Sequence, residues 1–458
     1  MSAVTKLANS TFYCLIVAVL GLFHSGCSKD GSSDTEQFVS SAEAVRPDAQ
    51  ILMQTFYWDV KPEGTWWDTI SSKLDSWKSS GVTALWLPVV SKGQSGIHSM
   101  GYDPYDYFDF GQYDQHGSIE TRFGSFAELK SLIVRAKARN FKLIADIVLN
   151  HNSGGDLEYS PYSKKSYWTR FSPRSGKFFR SFEDFHPNAL HANDEGVFAE
   201  FPDLCHHTEN VKDWLYNRPD GIGKYYRDSL QFDGWRFDYV KGFSPSVVKS
   251  WNAAVGGISI GEYWDGDVNL VNNWCKAANS AAFDFPLMYA MKAAFDGLNL
   301  AELQSKGLIA ANPAQAYTFV ANHDVDEISV ASKPLAYAYI MVAEGTPCIF
   351  YKDFEAGLDK VKLNQLIWVK KNLAAGSTKT LLSSQYEYIL RRNGTPGVIA
   401  YFNINNSDVS RRVQSNWANT LLKDYTGANA DVSTDASGMA TITCKGKSYA
   451  VYAPKELN

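Results

Sequence analysis

The sequence predicts an α/β fold: a (β/α)8 TIM barrel with a small domain inserted after strand 3 and a C-terminal antiparallel β-domain. Two observations carry this. From Ile51 to about Asp353, strand-like apolar runs alternate with amphipathic helical stretches, the pattern of a parallel sheet wrapped by helices. After Ala375-Gly376-Ser377, apolar and polar residues alternate between Gly and Asn turns, the pattern of antiparallel strands with one wet face.

Taken in order, the first element lies outside the fold. Lys6 is followed by an apolar stretch, Thr11 to Phe23, and by the small residues Ser25 and Gly26 before Cys27. This reads as a signal peptide, too short to span a bilayer. Leu22-Phe23-His24-Ser25-Gly26-Cys27 resembles a bacterial lipoprotein signal in which Cys27 carries the lipid. Ordinary cleavage and secretion is the alternative, because His24 is unusual at its position. Residues 1–27 are thus a leader, and the polar stretch over 28–46 is a flexible tether. The chain is expected to be exported, either lipid-anchored to a bacterial membrane or secreted, and monomeric.

Barrel strands are expected at Ile51–Tyr57, Ala84–Pro88, Leu143–Leu149, Gly234–Asp238, Ile258–Glu262, Ala281–Phe285, Tyr317–Ala321 and Pro347–Tyr351. Helices are expected at Ser125–Arg139 and Pro334–Ala343. The barrel occupies 47–151 and 210–375. Between the third and fourth strands lie about eighty residues rich in Ser, Tyr, Phe, His and Gly, far beyond the usual loop. We therefore read 152–209 as an inserted small domain. The C-terminal domain, 376–458, should carry strands at Tyr386–Arg391, Val398–Asn403, Val409–Val413 and Ala440–Tyr452.

Composition allows this architecture. Of 458 residues, 45% are hydrophobic and 20% charged, enough for one large core and a smaller one. A formal net charge of -5 without a long basic stripe gives no support for a nucleic-acid partner. The 13 Trp, 25 Tyr and 26 Phe suit either an aromatic core or a cleft that stacks on sugar rings. Cys205, Cys275, Cys348 and Cys444 are too scattered for a disulfide framework.

Active sites of such barrels sit at the C-terminal ends of the strands. Four expected strands end in polar residues: Asp146 to His151, Arg236-Phe237-Asp238, Gly261-Glu262, and Asn322-His323-Asp324. Ordinary strand-end caps explain any one of them; four at one rim require another cause. Buried carboxylates must be compensated, and several together shift one another's pKa, so that an acid and a nucleophile coexist. A retaining glycosidase needs two carboxyl groups roughly 5 Å apart. Arg236 leaves its strand on the same face as Asp238, placed to keep it ionised and aimed.

These segments (Asp146–His151, Gly234–Gly242, Gly261–Asp265 and Phe319–Asp324) resemble the signatures of the α-amylase family of glycoside hydrolases. Gly-Trp-Arg-Phe-Asp-Tyr-Val-Lys-Gly and Phe-Val-Ala-Asn-His-Asp are most similar to its archaeal and plant-like branch. The resemblance implies an endo-acting α-amylase that hydrolyses α-1,4-glucosidic bonds of starch, glycogen and related α-glucans. It implies Asp238 as nucleophile, Glu262 as acid/base and Asp324 as the carboxylate that stabilises the transition state. It further implies substrate contacts from Arg236, His151 and His323, stacking on Tyr102, and neighbouring sugar contacts from Lys241 and Trp264. For Lys241 and Trp264, a surface cation and a half-buried aromatic are equally good readings.

The same resemblance implies Ca2+, with Asn150, Asp194, Asp203 and the carbonyls of Gly196 and Gly242 as ligands. Hard oxygen donors suit that ion. His186, His191 and Cys205 are zinc-type ligands, so Zn2+ there and a buried free thiol beside two surface imidazoles are both open readings. Two other functions also stay open: a maltooligosaccharide-forming enzyme or transglycosylase of the same family, and a surface glycan-binding lipoprotein without catalysis.

Overall fold

A computed structural model of the chain describes residues 50–193 and 201–456. The expected leader, its Cys27, the tether, Asp194 and Gly196 lie outside the described residues. Asp48–Asn458 forms one compact unit.

Eight parallel strands close into a barrel: β1 (Leu52–Gln54), β2 (Ala84–Leu87), β3 (Lys142–Ile147), β4 (Gly234–Phe237), β5 (Ile258–Gly261), β6 (Ala281–Phe283), β7 (Ala316–Phe319) and β8 (Thr346–Phe350). β1 pairs with both β2 and β8, which closes the ring. Each expected apolar run overlaps one of these strands, in order. The ladders stop one to three residues short of most expected ends, because residues there leave the sheet to form the rim.

The strands are buried on both faces, as in β2, where Ala84, Leu85, Trp86 and Leu87 are all inaccessible. Helices supply the outer cover. In helix Phe126–Ala138, Leu129, Leu132, Ile133 and Ala136 make the buried stripe. Its start is fixed by a capping box in which Ser125 and Glu128 satisfy each other's backbone N–H. Gly261, the last residue of β5, makes room for the Trp274 ring, which a Cβ there would approach to 2.0 Å.

Between β3 and β4 the described residues contain an antiparallel hairpin, Asp156–Ser160 with Lys165–Arg170. Short backbone bridges at His151 to Asp203 and Phe185 to Leu204 tie this segment back to the rim.

The C-terminal strands are β9 (Thr378–Ser383), β10 (Glu387–Arg392), β11 (Ile399–Asn403), β12 (Val409–Gln414), β13 (Leu421–Asp424), β14 (Val432–Ser433), β15 (Met439–Cys444) and β16 (Ser448–Pro454). Six form one sheet, ordered β9-β10-β11-β16-β13-β14, and β12 pairs with β15. The single run expected over Ala440–Tyr452 is therefore two strands, divided at Lys445-Gly446-Lys447. This sheet packs on helix Lys333–Val342 through Tyr339 and Phe402, whose ring centroids are 5.8 Å apart. Arg392 Nη1 also donates to Val342 O at 2.7 Å. That helix is apolar all round because it is covered on both sides. Among the described residues, no helix is long and apolar enough to cross a membrane.

Candidate active site

Parallel register sets the centre of the site. Asp146 on β3 stands level with Arg236 on β4, and Arg236 stands level with Ile260 on β5. The guanidinium is buried beneath the carboxylates. Its Nη1 donates to Asp146 Oδ1 at 2.8 Å and to Asp238 Oδ1 at 2.7 Å. Its Nη2 is in ion-pair contact with Glu262 Oε1. One cation thus joins acids from three adjacent strands. Tyr239 N donates to Glu262 Oε2 at 3.0 Å, which fixes the second oxygen of that carboxylate.

Asp324 comes from the far side of the ring, on the loop after β7. Asn322 Oδ1 accepts from Asp324 N and Val325 N, both at 2.8 Å, an Asx-type turn that shapes the loop. His323 Nε2 lies 3.0 Å from Asp324 Oδ2, and its Nδ1 is 2.9 Å from Gln54 Nε2 on β1. That imidazole is neutral, its pKa held well below the usual value by burial first and by Arg236 second. With Nδ1 as acceptor from Gln54, Nε2 is the protonated nitrogen; it is buried beside the Asp324 carboxylate without a hydrogen bond to it.

The acids are perturbed in one direction. Asp238 is pushed up to about 7 by burial and by the charges of Asp146 and Asp324, against the pull of Arg236. Glu262 also reaches about 7, through burial and the charge of Asp238 against Arg236. Burial, then the charge of Glu262, raises Asp324 to about 7. The site therefore holds protons at neutral pH while Arg236 keeps anionic character in its partners, the condition for acid and nucleophile to coexist.

Above the acids lies an aromatic wall. The Tyr102 ring stacks on His323 at 5.3 Å and on Trp58 at 5.8 Å, and its hydroxyl donates to Asp146 Oδ2 at 2.8 Å. His151 Nε2 is 2.9 Å from Tyr102 O. Trp264 stacks on Phe285 at 5.2 Å, and its Nε1 donates to Tyr289 OH at 2.8 Å. Lys241 is paired with Asp265 at 2.9 Å and donates to Trp264 O at 3.3 Å. Lys241 and Trp264 are thus joined to each other, and both are partly exposed. Sequence reasoning missed Asp146 as a member of the site, along with Trp58 and Gln54. Only Asp146 left a signal: a carboxylate inside an otherwise apolar strand.

Of the expected calcium ligands, Asn150 and Gly242 are adjacent: a Cβ on Gly242 would fall 1.9 Å from Asn150 Oδ1. That oxygen is buried and accepts no hydrogen bond. The Asp203 strand is held alongside, with Leu204 N donating to Asn150 O at 2.9 Å. An orphaned hard acceptor beside a glycine backbone fits a calcium ion. The zinc-type residues are arranged differently. His186 Nδ1 lies 3.0 Å from Asp203 Oδ2, and its pKa rises to about 9 because Asp203 and Cys205 outweigh burial. Among the described residues, no group of three or more His, Cys, Asp or Glu is placed to hold a metal ion.

Comparison with known proteins agrees with the barrel. The family model described as alpha amylase, catalytic domain, matches residues 35–420, and that described as alpha-amylase C-terminal matches 398–453. A cytoplasmic alpha-amylase of Escherichia coli (strain K12) is 26% identical over 89% of this chain and 99% of its own length. Probable alpha-amylase 2 of Arabidopsis thaliana is 30% identical over 68% of this chain and 76% of its own. The crystal structure of an alpha-amylase from Geobacillus thermoleovorans, complexed with acarbose, superposes with a TM-score of 0.68. It is 19% identical and covers 90% of this chain and 99% of that one. A barrel with acids converging at its rim and these relatives defines a glycoside hydrolase. The chain belongs to the α-amylase family.

Proposed function

We propose that this chain is an endo-acting, retaining α-amylase that hydrolyses α-1,4-glucosidic bonds of starch, glycogen and related α-glucans by double displacement. The observation that supports it most is Arg236, which draws Asp238 and Glu262 together from neighbouring strand ends.

In the first step an Asp238 oxygen attacks the anomeric carbon. The bond to the leaving oxygen breaks, and that oxygen takes the Glu262 proton. In the second step water attacks the same carbon. Its proton passes to Glu262, and the bond to Asp238 breaks, restoring both groups. Arg236 aims Asp238 and favours its anion. Asp324, with His323 beside it, grips the sugar hydroxyls as the ring flattens. Tyr102 offers the stacking face for that sugar, and His151 hydrogen-bonds it from the loop after β3. Lys241 and Trp264 contact the neighbouring residue of the glucan.

Asn150, Asp203 and Gly242, with Asp194 and Gly196 outside the described residues, would hold Ca2+, whose part is to pin the segment after β3 against the rim. The leader supports export, with Cys27 as the lipid-attachment residue. Labelling by radioactive palmitate that disappears in Cys27→Ser tests this, and equal labelling of both proteins overturns it.

The decisive experiment is a digest of soluble starch followed by NMR of the fresh products. Retention requires that the α-anomer appear first, with internal cleavage giving mixed oligosaccharides. Immediate release of the β-anomer, dominant transfer products, or full turnover by Asp238→Asn would each refute the reading. A glucan 1,4-alpha-maltohexaosidase of Bacillus sp. (strain 707) is 26% identical over 66% of this chain and 70% of its own. A single dominant product length would place the activity in that narrower class.

A further inference from the structure

The imidazole of His323 has one freedom left, the choice of nitrogen that carries its hydrogen. Aromatic rings box it in. Between centroids, Phe56 lies at 4.9 Å, Tyr102 is stacked at 5.3 Å, Trp86 stands edge-on at 5.6 Å and Trp58 is stacked at 6.0 Å. Packing of that density holds the ring in one orientation. Its two nitrogens then meet different neighbours. Nε2 lies 3.0 Å from Asp324 Oδ2, so a lone pair there would confront a carboxylate. Nδ1 lies 2.9 Å from Gln54 Nε2, an amide nitrogen that only donates. Both neighbours select the same tautomer, with hydrogen on Nε2 and a lone pair on Nδ1. Were the Gln54 amide turned round, its oxygen would demand the hydrogen on Nδ1 and leave the lone pair against Asp324.

Gln54 is placed for this on a rigid element. It ends β1, in register with Trp86 of β2 and Phe350 of β8, and it is fully buried. Its Oε1 is enclosed with no hydrogen-bond partner. A buried acceptor without a donor is costly, and a methionine of similar length would escape that cost. Packing therefore does not explain an amide at this position; the contact with His323 Nδ1 does. At the other edge of the ring, Nε2 is also buried and makes no hydrogen bond. A donor left open beside the third carboxylate, at the rim that carries the reacting acids, is matched by a hydroxyl of the sugar held there.

We propose that Gln54 is a positioning residue, which fixes His323 in the Nε2–H tautomer and so keeps that hydrogen free for a hydroxyl of the sugar whose bond is cut. Enclosed on all sides, Gln54 acts only through His323. The first strand of the barrel thereby takes part in chemistry whose acids come from the ends of the fourth, fifth and seventh. This rests on the activity proposed above.

The test is nitrogen NMR of the whole protein labelled at histidine, with His323→Asn to assign the signals, alongside kinetics on starch. In the parent, Nδ1 of His323 should resonate as a bare, pyridine-type nitrogen and Nε2 as a protonated one. Gln54→Glu sets a carboxylate against Nδ1 and should protonate it, either by reversing the tautomer or by making an imidazolium that closes on Asp324. Both take the open donor away, so kcat should fall about tenfold or more while KM changes less. Gln54→Met buries no new charge and guards against a glutamate variant that fails to fold. With only Asp324 left to bias the ring, it should show a mixed tautomer and a smaller loss of kcat. Hydrogen on Nδ1 in the parent, a Gln54→Met spectrum identical to the parent's, or variants that keep the parent's kcat would overturn the role of Gln54 even though starch is hydrolysed. If the parent fails to hydrolyse starch, it is the proposed activity that falls.

Discussion

Asp146 and Arg236 face each other in register on adjacent parallel strands, and the guanidinium Nη1 lies 2.8 Å from the Asp146 carboxylate. The same arginine serves Asp238 and Glu262, so Asp146 competes with the reacting acids for one cation. Its negative charge also raises both of them.

Asp146→Asn removes that charge while keeping an acceptor for Trp86 and Tyr102. With one anion fewer, Asp238 and Glu262 both ionise more readily. The alkaline limb of kcat/KM, which reports loss of the Glu262 proton, should therefore move to lower pH, and the acid limb should follow. A pH–rate profile that does not move would show that Asp146 acts only as a steric support.

Glu262→Gln separates the two steps. Without a proton donor, turnover of starch should fall by roughly 10²–10⁴-fold. A substrate with a leaving group that needs no proton, such as α-maltosyl fluoride, should lose far less in its first step. Equal losses on both substrates would deny Glu262 its role as the acid.

The same substitution carries a stability prediction of definite sign. Folding raises Glu262 to about 7, through burial first, so between its unfolded value and pH 7 the folded protein binds the extra proton. Stability from this group is then complete at low pH and declines as pH rises through about 7. Glu262→Gln cannot ionise, and so should be more stable than the parent at pH 8 by up to about 3 kcal/mol, and melt higher. The difference should shrink toward pH 5. Thermal scans at the two pH values read this directly, and a constant difference would contradict it.

Removal of calcium should leave Asp238, Glu262 and Asp324 chemically intact yet lower both melting temperature and activity, with recovery on adding Ca2+. Asn150→Ala deletes the orphaned acceptor beside Gly242 and should make melting insensitive to EGTA. A parent protein that melts identically with and without EGTA, and holds no calcium by elemental analysis, would remove the ion from the account.

How much of this was legible beforehand follows from the range of each signal. The eight barrel strands showed because each is a short apolar run bounded by turns, and Asp238, Glu262 and Asp324 showed because they interrupt those runs at one end. Asp146 was visible as a polar residue, but its partnership with Arg236 depends on strand register across 90 residues, which no local pattern encodes. Trp58 is exposed and follows β1 by four residues. Only the closed ring brings it over Tyr102. The division of Ala440–Tyr452 into two strands was missed because period-two alternation continues through a tight turn. The zinc-type residues were visible as suitable side chains close in sequence, but the approach of His186 to Asp203 is a contact that no local pattern encodes.

The last prediction concerns how Asp324 is kept in place. Its loop is tied at Asp326 by Lys333 Nζ at 2.7 Å, and the same buried ammonium lies 2.5 Å from Asp353 just after β8. Tyr337 OH donates to the other Asp353 oxygen at 2.8 Å, so helix Lys333–Val342 anchors the loop to the neighbouring strand. Lys333→Met strands Asp353 without its cation, and such breakage of a buried pair costs about 3–5 kcal/mol, readable by urea denaturation. Because Asp324 acts most as the sugar ring distorts, the freed loop should lower kcat more than it raises KM. Lys333→Arg, which keeps the charge, should recover much of the stability and part of kcat. If Lys333→Met lost stability but kept its kcat, the clamp would hold the fold and not the third carboxylate.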